Sequence, residues 1–98
     1  MENALDYRAT TDDEYADRKT DVLRLEILCK RVRARAFLEQ TGSVESRKAA
    51  AEGHSDVIKA DMEYVEATAA FERLKASRET ADILIDAFRT VEASRRKT

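Results

Sequence analysis

Two glycines and no proline punctuate this chain of 98 residues, and that scarcity of helix breakers limits its fold more than any other feature. An interior proline costs a helix ~3 kcal/mol and a glycine ~1 kcal/mol relative to alanine. Long stretches free of both therefore read as helix, with Gly42 and Gly53 as the interruptions. Three phenylalanines, three tyrosines and no tryptophan offer little material for a β-sandwich or barrel. The sequence reads as all-α.

Thr11-Asp12-Asp13-Glu14 has the form of a capping box, and its three acids suit the positive end of a helix dipole. A helix is expected over 11–41, basic toward its C-terminus, with Gly42 as the left-handed residue that closes it. Ser43 is placed to cap the next helix. The run Lys48-Ala49-Ala50-Ala51-Glu52 favours helix strongly, so a second, long helix is expected over 44–95, with a bend admitted at 53–55. A true break from Gly53 to Ser55, giving three helices, is the alternative. Residues 1–10 show no sustained period and read as a loose N-terminal arm. On this reading 1–98 is a single helical domain, a long antiparallel helical hairpin.

Each helix carries apolar residues on two opposite faces. In the second, Ala60, Tyr64, Ala67, Phe71, Leu74, Arg78, Ala81, Ile85 and Phe88 recur at steps of four and three, a coiled-coil heptad seam with one charged intruder, Arg78. Ile58, Met62, Val65, Ala69, Ala76, Ile83 and Ala87 fall on the far side. In the first, Val22, Leu25, Cys29, Val32 and Ala36 form one face; Leu23, Ile27, Ala34 and Leu38 form the other. A lone hairpin buries one face of each helix. The expectation is a homodimer, two hairpins making a helical bundle, the alternative being that small alanines and Met62 simply tolerate water. The second helix outreaches the first, so its distal seam (Leu74, Arg78, Ala81, Ile85 and Phe88) is the expected oligomer interface.

Charge is laid out in blocks: net −4 over 1–21, +4 over 24–35, −4 over 45–72 and +3 over 73–97. Folding back about Gly42 opposes blocks of unlike sign and so selects an antiparallel register.

Little of the sequence points to catalysis. His54 has no second histidine or cysteine nearby, so no metal site is expected, and no cofactor. Cys29 lies on an apolar stripe and reads as a core thiol. The carboxylate pairs Asp12/Asp13, Glu63/Glu66 and Asp82/Asp86 read as solvated surface, and no phosphate loop, nucleophile elbow or HExxH occurs. The chain reads as no enzyme. No apolar run approaches the roughly 18 residues of a membrane span. The segment Met1 to Arg8 reads as neither signal nor transit peptide, so a cytoplasmic location is expected. Two basic clusters, Arg31, Arg33 and Arg35 and then Arg89, Arg95 and Arg96, are the candidate nucleic-acid contacts. Helix C-termini set against acidic blocks account for the same residues. An acidic inhibitor that mimics DNA, built on Asp12, Asp13, Glu14 and Asp17, is a third and weaker idea.

The segments 37–47 (FLEQTGSVESR) and 81–96 (ADILIDAFRTVEASRR) resemble small all-helical proteins encoded by bacteriophages and prophages. Such proteins are generally of unknown function, and some lie among replication or recombination genes. The resemblance implies a phage accessory protein in a bacterial cytoplasm, and it carries over no site residue. Two functions are expected from these readings: a helical oligomer that binds another protein, or an accessory protein that binds nucleic acid.

Overall fold

The computed structural model describes residues 2–97; Met1 and Thr98, the ends of the expected domain, lie outside them. Every element among the described residues is an α-helix: α1 (Glu2–Thr10), α2 (Asp12–Leu38), α3 (Val44–Glu52) and α4 (Ser55–Lys97). The molecule is an extended body of 78 × 22 × 14 Å, one helix thick for much of its length.

Side-chain contacts give the arrangement. Asp12 meets Arg78, the Tyr15 and Phe71 rings lie 5.2 Å apart, Cys29 reaches Ala60 and Arg33 reaches Asp61. Position numbers rise along α2 as they fall along α4, so the two run in opposite directions. α3 sits across the end where they are joined. Its Ala51 packs with Ala36 of α2 and Val57 of α4, and Val57 is the largest fully buried side chain.

The turn between α2 and α3 follows its sequence. Gly42 has φ 108°, a left-handed conformation that costs any residue with a Cβ, and the Ser43 hydroxyl accepts from the Ser46 amide at 3.2 Å as an N-cap. α2 nevertheless stops at Leu38, short of the expected 41.

Two expectations are corrected. The residues read as a loose arm form α1, which continues from α2 across Thr11. The Thr11 amide bonds the Tyr7 carbonyl and the Tyr15 amide bonds the Thr11 carbonyl, so the ladder nearly spans the junction. Ala4 then packs on Ala81 and Ile85 of α4. Polar residues hide the period of α1, and docking onto α4 stabilises it where nine residues alone would not hold. The long helix expected over 44–95 is two helices, α3 and α4, broken at Gly53-His54 as in the alternative. His54 makes the break: its carbonyl accepts from the Ile58 amide and its Nδ1 accepts from the Asp56 amide at 3.1 Å, capping α4.

Candidate interaction surface

Arg78, the charged residue of the heptad seam, is 7% exposed and fully engaged within its own chain. Its guanidinium donates to the Thr11 hydroxyl at 2.8 Å, to Asp12 Oδ1 at 2.6 Å and to the Arg8 carbonyl at 3.3 Å, and it lies 4.8 Å from the centre of the Tyr15 ring. Beside it Arg8 Nε pairs with Asp82 at 2.9 Å. These contacts clamp the α1–α2 junction onto α4. They also displace the expected capping box: the Thr11 hydroxyl makes no cap, donating instead to the Tyr7 carbonyl.

The distal seam therefore has a partner inside the chain. Leu74, Arg78, Ala81 and Ile85 are all buried, under α1 and the start of α2. The expectation that they face a second subunit is corrected, because α1 packs on this side of α4. Phe88 alone of the five remains exposed.

The cations named from the sequence divide. Arg33 is tied to Glu52 and, at 2.8 Å, to Asp61, and its pKa is raised first of all by the hydrogen bond to Glu52. Arg95 pairs with Glu92 at 3.3 Å. Arg31, Arg35, Arg89 and Arg96 are exposed. The two clusters lie at opposite ends of the body: Arg33 sits against Asp61, and from 61 to 95 α4 advances ~50 Å at 1.5 Å per residue.

Chemistry-bearing groups are absorbed by the fold. The Cys29 thiol donates to the Ala60 carbonyl at 3.2 Å, and burial, then the nearby Asp61 carboxylate, push its pKa up. Asp12 and Asp82, from two of the carboxylate pairs, hold Arg78 and Arg8. Among the described residues no group of three or more His, Cys, Asp and Glu side chains is placed to hold a metal ion. No helix of the described residues is long and apolar enough to cross a membrane.

What remains is apolar surface. Leu23, Ile27 and Leu38 on α2, and Ile58, Met62, Val65 and Ile83 on α4, are exposed, on the faces that periodicity sets opposite the core. Leu84, Phe88 and Val91 widen the patch at the distal end of α4. Leu38 borders a groove of about 710 Å³ between α2 and α3, with Ala34, Phe37 and Ala51 as apolar lining and Lys30 and Lys48 as flanking cations. Arg47 stacks over the Phe37 ring at 4.4 Å. Ile58 and Met62 border a shallower groove with Lys59, Glu63 and Glu66. Comparison with protein-family models, with curated proteins and with solved structures finds no match.

Proposed function

We propose that this chain is a non-enzymatic accessory protein of the phage type, a helical oligomer in the cytoplasm of a bacterial host that binds another protein. One observation carries the reading: the apolar residues are distributed the wrong way round for a self-sufficient monomer. Among the described residues thirteen large apolar side chains are exposed, while the buried apolar ones larger than alanine are Cys29, Val57, Leu74 and Ile85. Burying one such exposed side chain is worth ~1.5–3 kcal/mol, and contiguous exposed stripes mark association surfaces. The antiparallel pair of long helices, read as one hairpin unit, holds these stripes straight and parallel to the long axis. A helix of another protein can then lie along the Ile58–Met62–Val65 stripe of α4.

The test is affinity capture from the bacterial host, with wild-type protein and with the M62K/V65K variant as bait. A defined protein held by the wild type and lost by the variant, with the variant's helix content unchanged, supports the reading. Absence of any such protein, or equal capture by both baits, overturns it.

The second reading, phosphate binding, is favoured by the exposure of Arg31, Arg35, Arg89 and Arg96. Its check is binding to a random oligonucleotide at ~50 mM salt, where phosphate neutralisation is strong. Undetectable affinity there removes it.

A further inference from the structure

The outer face of α2 has a charge order that reads the same way from either end once sign is inverted. Successive residues of an α-helix are about 100° apart, so Ala16, Thr20, Leu23, Ala34 and Leu38 all lie within ~40° of Ile27. This stripe points away from α4, since Cys29 and Ala36, the buried positions of α2, lie on the other side of the helix. Leu23 and Ile27 are each 52% exposed and Leu38 73%. Along one flank run Asp13, Asp17, Arg24, Arg31 and Arg35, all exposed. Asp17 and Arg31 are each seven residues from Arg24, and Asp13 and Arg35 are each eleven.

We propose that a second copy of this chain covers this face, the two α2 helices packing antiparallel about a two-fold axis near Arg24. The inference rests on the reading of the protein as a helical oligomer and names the surface and geometry of that association. An antiparallel pair sets each flank against the same flank of its partner. Asp17 of one copy then faces Arg31 of the other, Asp13 faces Arg35, and both pairs occur twice by symmetry. Leu23 and Ile27 of the two copies meet beside the axis. A parallel pair sets each flank against the opposite flank, where Asp12, Lys19, Glu26 and Lys30 alternate in sign, so only the antiparallel form matches every acid of this flank with a base. Arg24 meets its own copy at the axis, where Asp21, 3.5 Å away in the same chain, offsets the repulsion.

Among the described residues no other exposed stripe has this order. On α4 the acids Glu72, Glu79 and Asp86 follow one side of the Ile58–Ile83 stripe, so an antiparallel copy there brings acid against acid. That leaves the α4 face for a partner of different sequence. A seam one helix wide and ~40 Å long lies at the small end of stable interfaces, so dissociation is expected in the micromolar range.

The experiment is sedimentation equilibrium of the full chain, the D13K/D17K variant, the R31E/R35E variant and their equimolar mixture. All four positions are exposed, and circular dichroism confirms that each variant keeps its helices. The wild type is expected to dimerise, each variant alone to dissociate at least ~10-fold more readily, and the mixture to recover a heterodimer, since one variant is basic throughout the flank and the other is acidic on both sides of Arg24. A D17C/R31C variant in a Cys29→Ala background places the direction independently. Within one chain positions 17 and 31 are ~21 Å apart, beyond disulfide reach, so a 17-to-31 cross-link joins two antiparallel copies. A monomeric wild type, variants that dimerise as it does, a mixture that fails to recover, or cross-links confined to 17-to-17 would each overturn the proposal. A wild type that is monomeric yet still captures a protein through Met62 and Val65 overturns this proposal and leaves the capture of another protein standing.

Discussion

The Arg78 guanidinium donates to the Thr11 hydroxyl at 2.8 Å, joining positions 67 residues apart. That contact sits where α1 passes into α2, and it fixes α1 over the distal half of α4. Since the Arg78 side chain is 8% exposed, water cannot replace the partners it loses if the junction opens.

Replacing Arg78 by Ala should therefore destabilise the chain by roughly 2–4 kcal/mol, the range for breaking a buried, hydrogen-bonded charge network. Asp12→Asn should cost under about 1 kcal/mol, because the Asp12 carboxylate is largely exposed. Urea denaturation of both variants checks the ranking. Equal costs would mean that the ion pair, and not the buried guanidinium, holds the junction.

Amide exchange reports the same clamp locally. In Ala81→Glu a carboxylate enters the contact between Ala4, Ala81 and Ile85, so α1 should lose protection while α2 and α4 keep theirs. Uniform loss across all helices would show that α1 is no separate docking unit.

The two glycines should respond oppositely to alanine. Gly42→Ala should cost about 1 kcal/mol, because φ 108° strains any Cβ. Gly53 has φ −84°, and an added Cβ would meet nothing closer than 3.8 Å. Gly53→Ala should therefore stabilise by about 0.4–1 kcal/mol through the unfolded state. Thermal unfolding of the pair decides it. A destabilised Gly53→Ala would reveal a conformational demand at the α3–α4 break.

Cys29 gives a pH dependence of known sign. Its pKa in the folded chain is raised above 9.0 by burial first and by Asp61 next. Above the ordinary thiol pKa the unfolded chain has lost this proton while the folded chain retains it. Stability should consequently fall as pH rises beyond about 9, and Cys29→Ala should flatten that limb. Alkylation of the folded protein at pH 8 should be slow relative to the unfolded chain. Rapid alkylation would place the thiol in water.

Val57, buried to 1% between Ala36 and Ala51, is the side chain on which α3 rests. Two lost methyl groups make Val57→Ala cost roughly 1.5–3 kcal/mol in denaturant unfolding. A cost below about 0.5 kcal/mol would indicate that α3 contributes nothing to global stability.

Residues near one another in the chain determined much of this protein. The absence of proline set the helical class, and Gly42 and Ser43 set the turn, because left-handed backbone and N-capping act over three or four residues. The four-and-three spacing correctly grouped Ala60, Leu74, Arg78, Ala81 and Ile85 on one buried face, and left Ile58, Met62 and Val65 exposed opposite. Periodicity, however, says which residues share a face and not what lies against it. Tertiary structure decided that α1 covers the distal seam and that Arg78 takes Thr11 away from its expected cap. It also decided that alanines make up most of the core, with Cys29 and Leu74 buried among them while Val22, Leu25, Val32 and Phe71 on the same faces stay half-buried. The physical reason is common to all of these. Each depends on a group brought in from a distant part of the chain, and its burial energy exists only after the helices have docked.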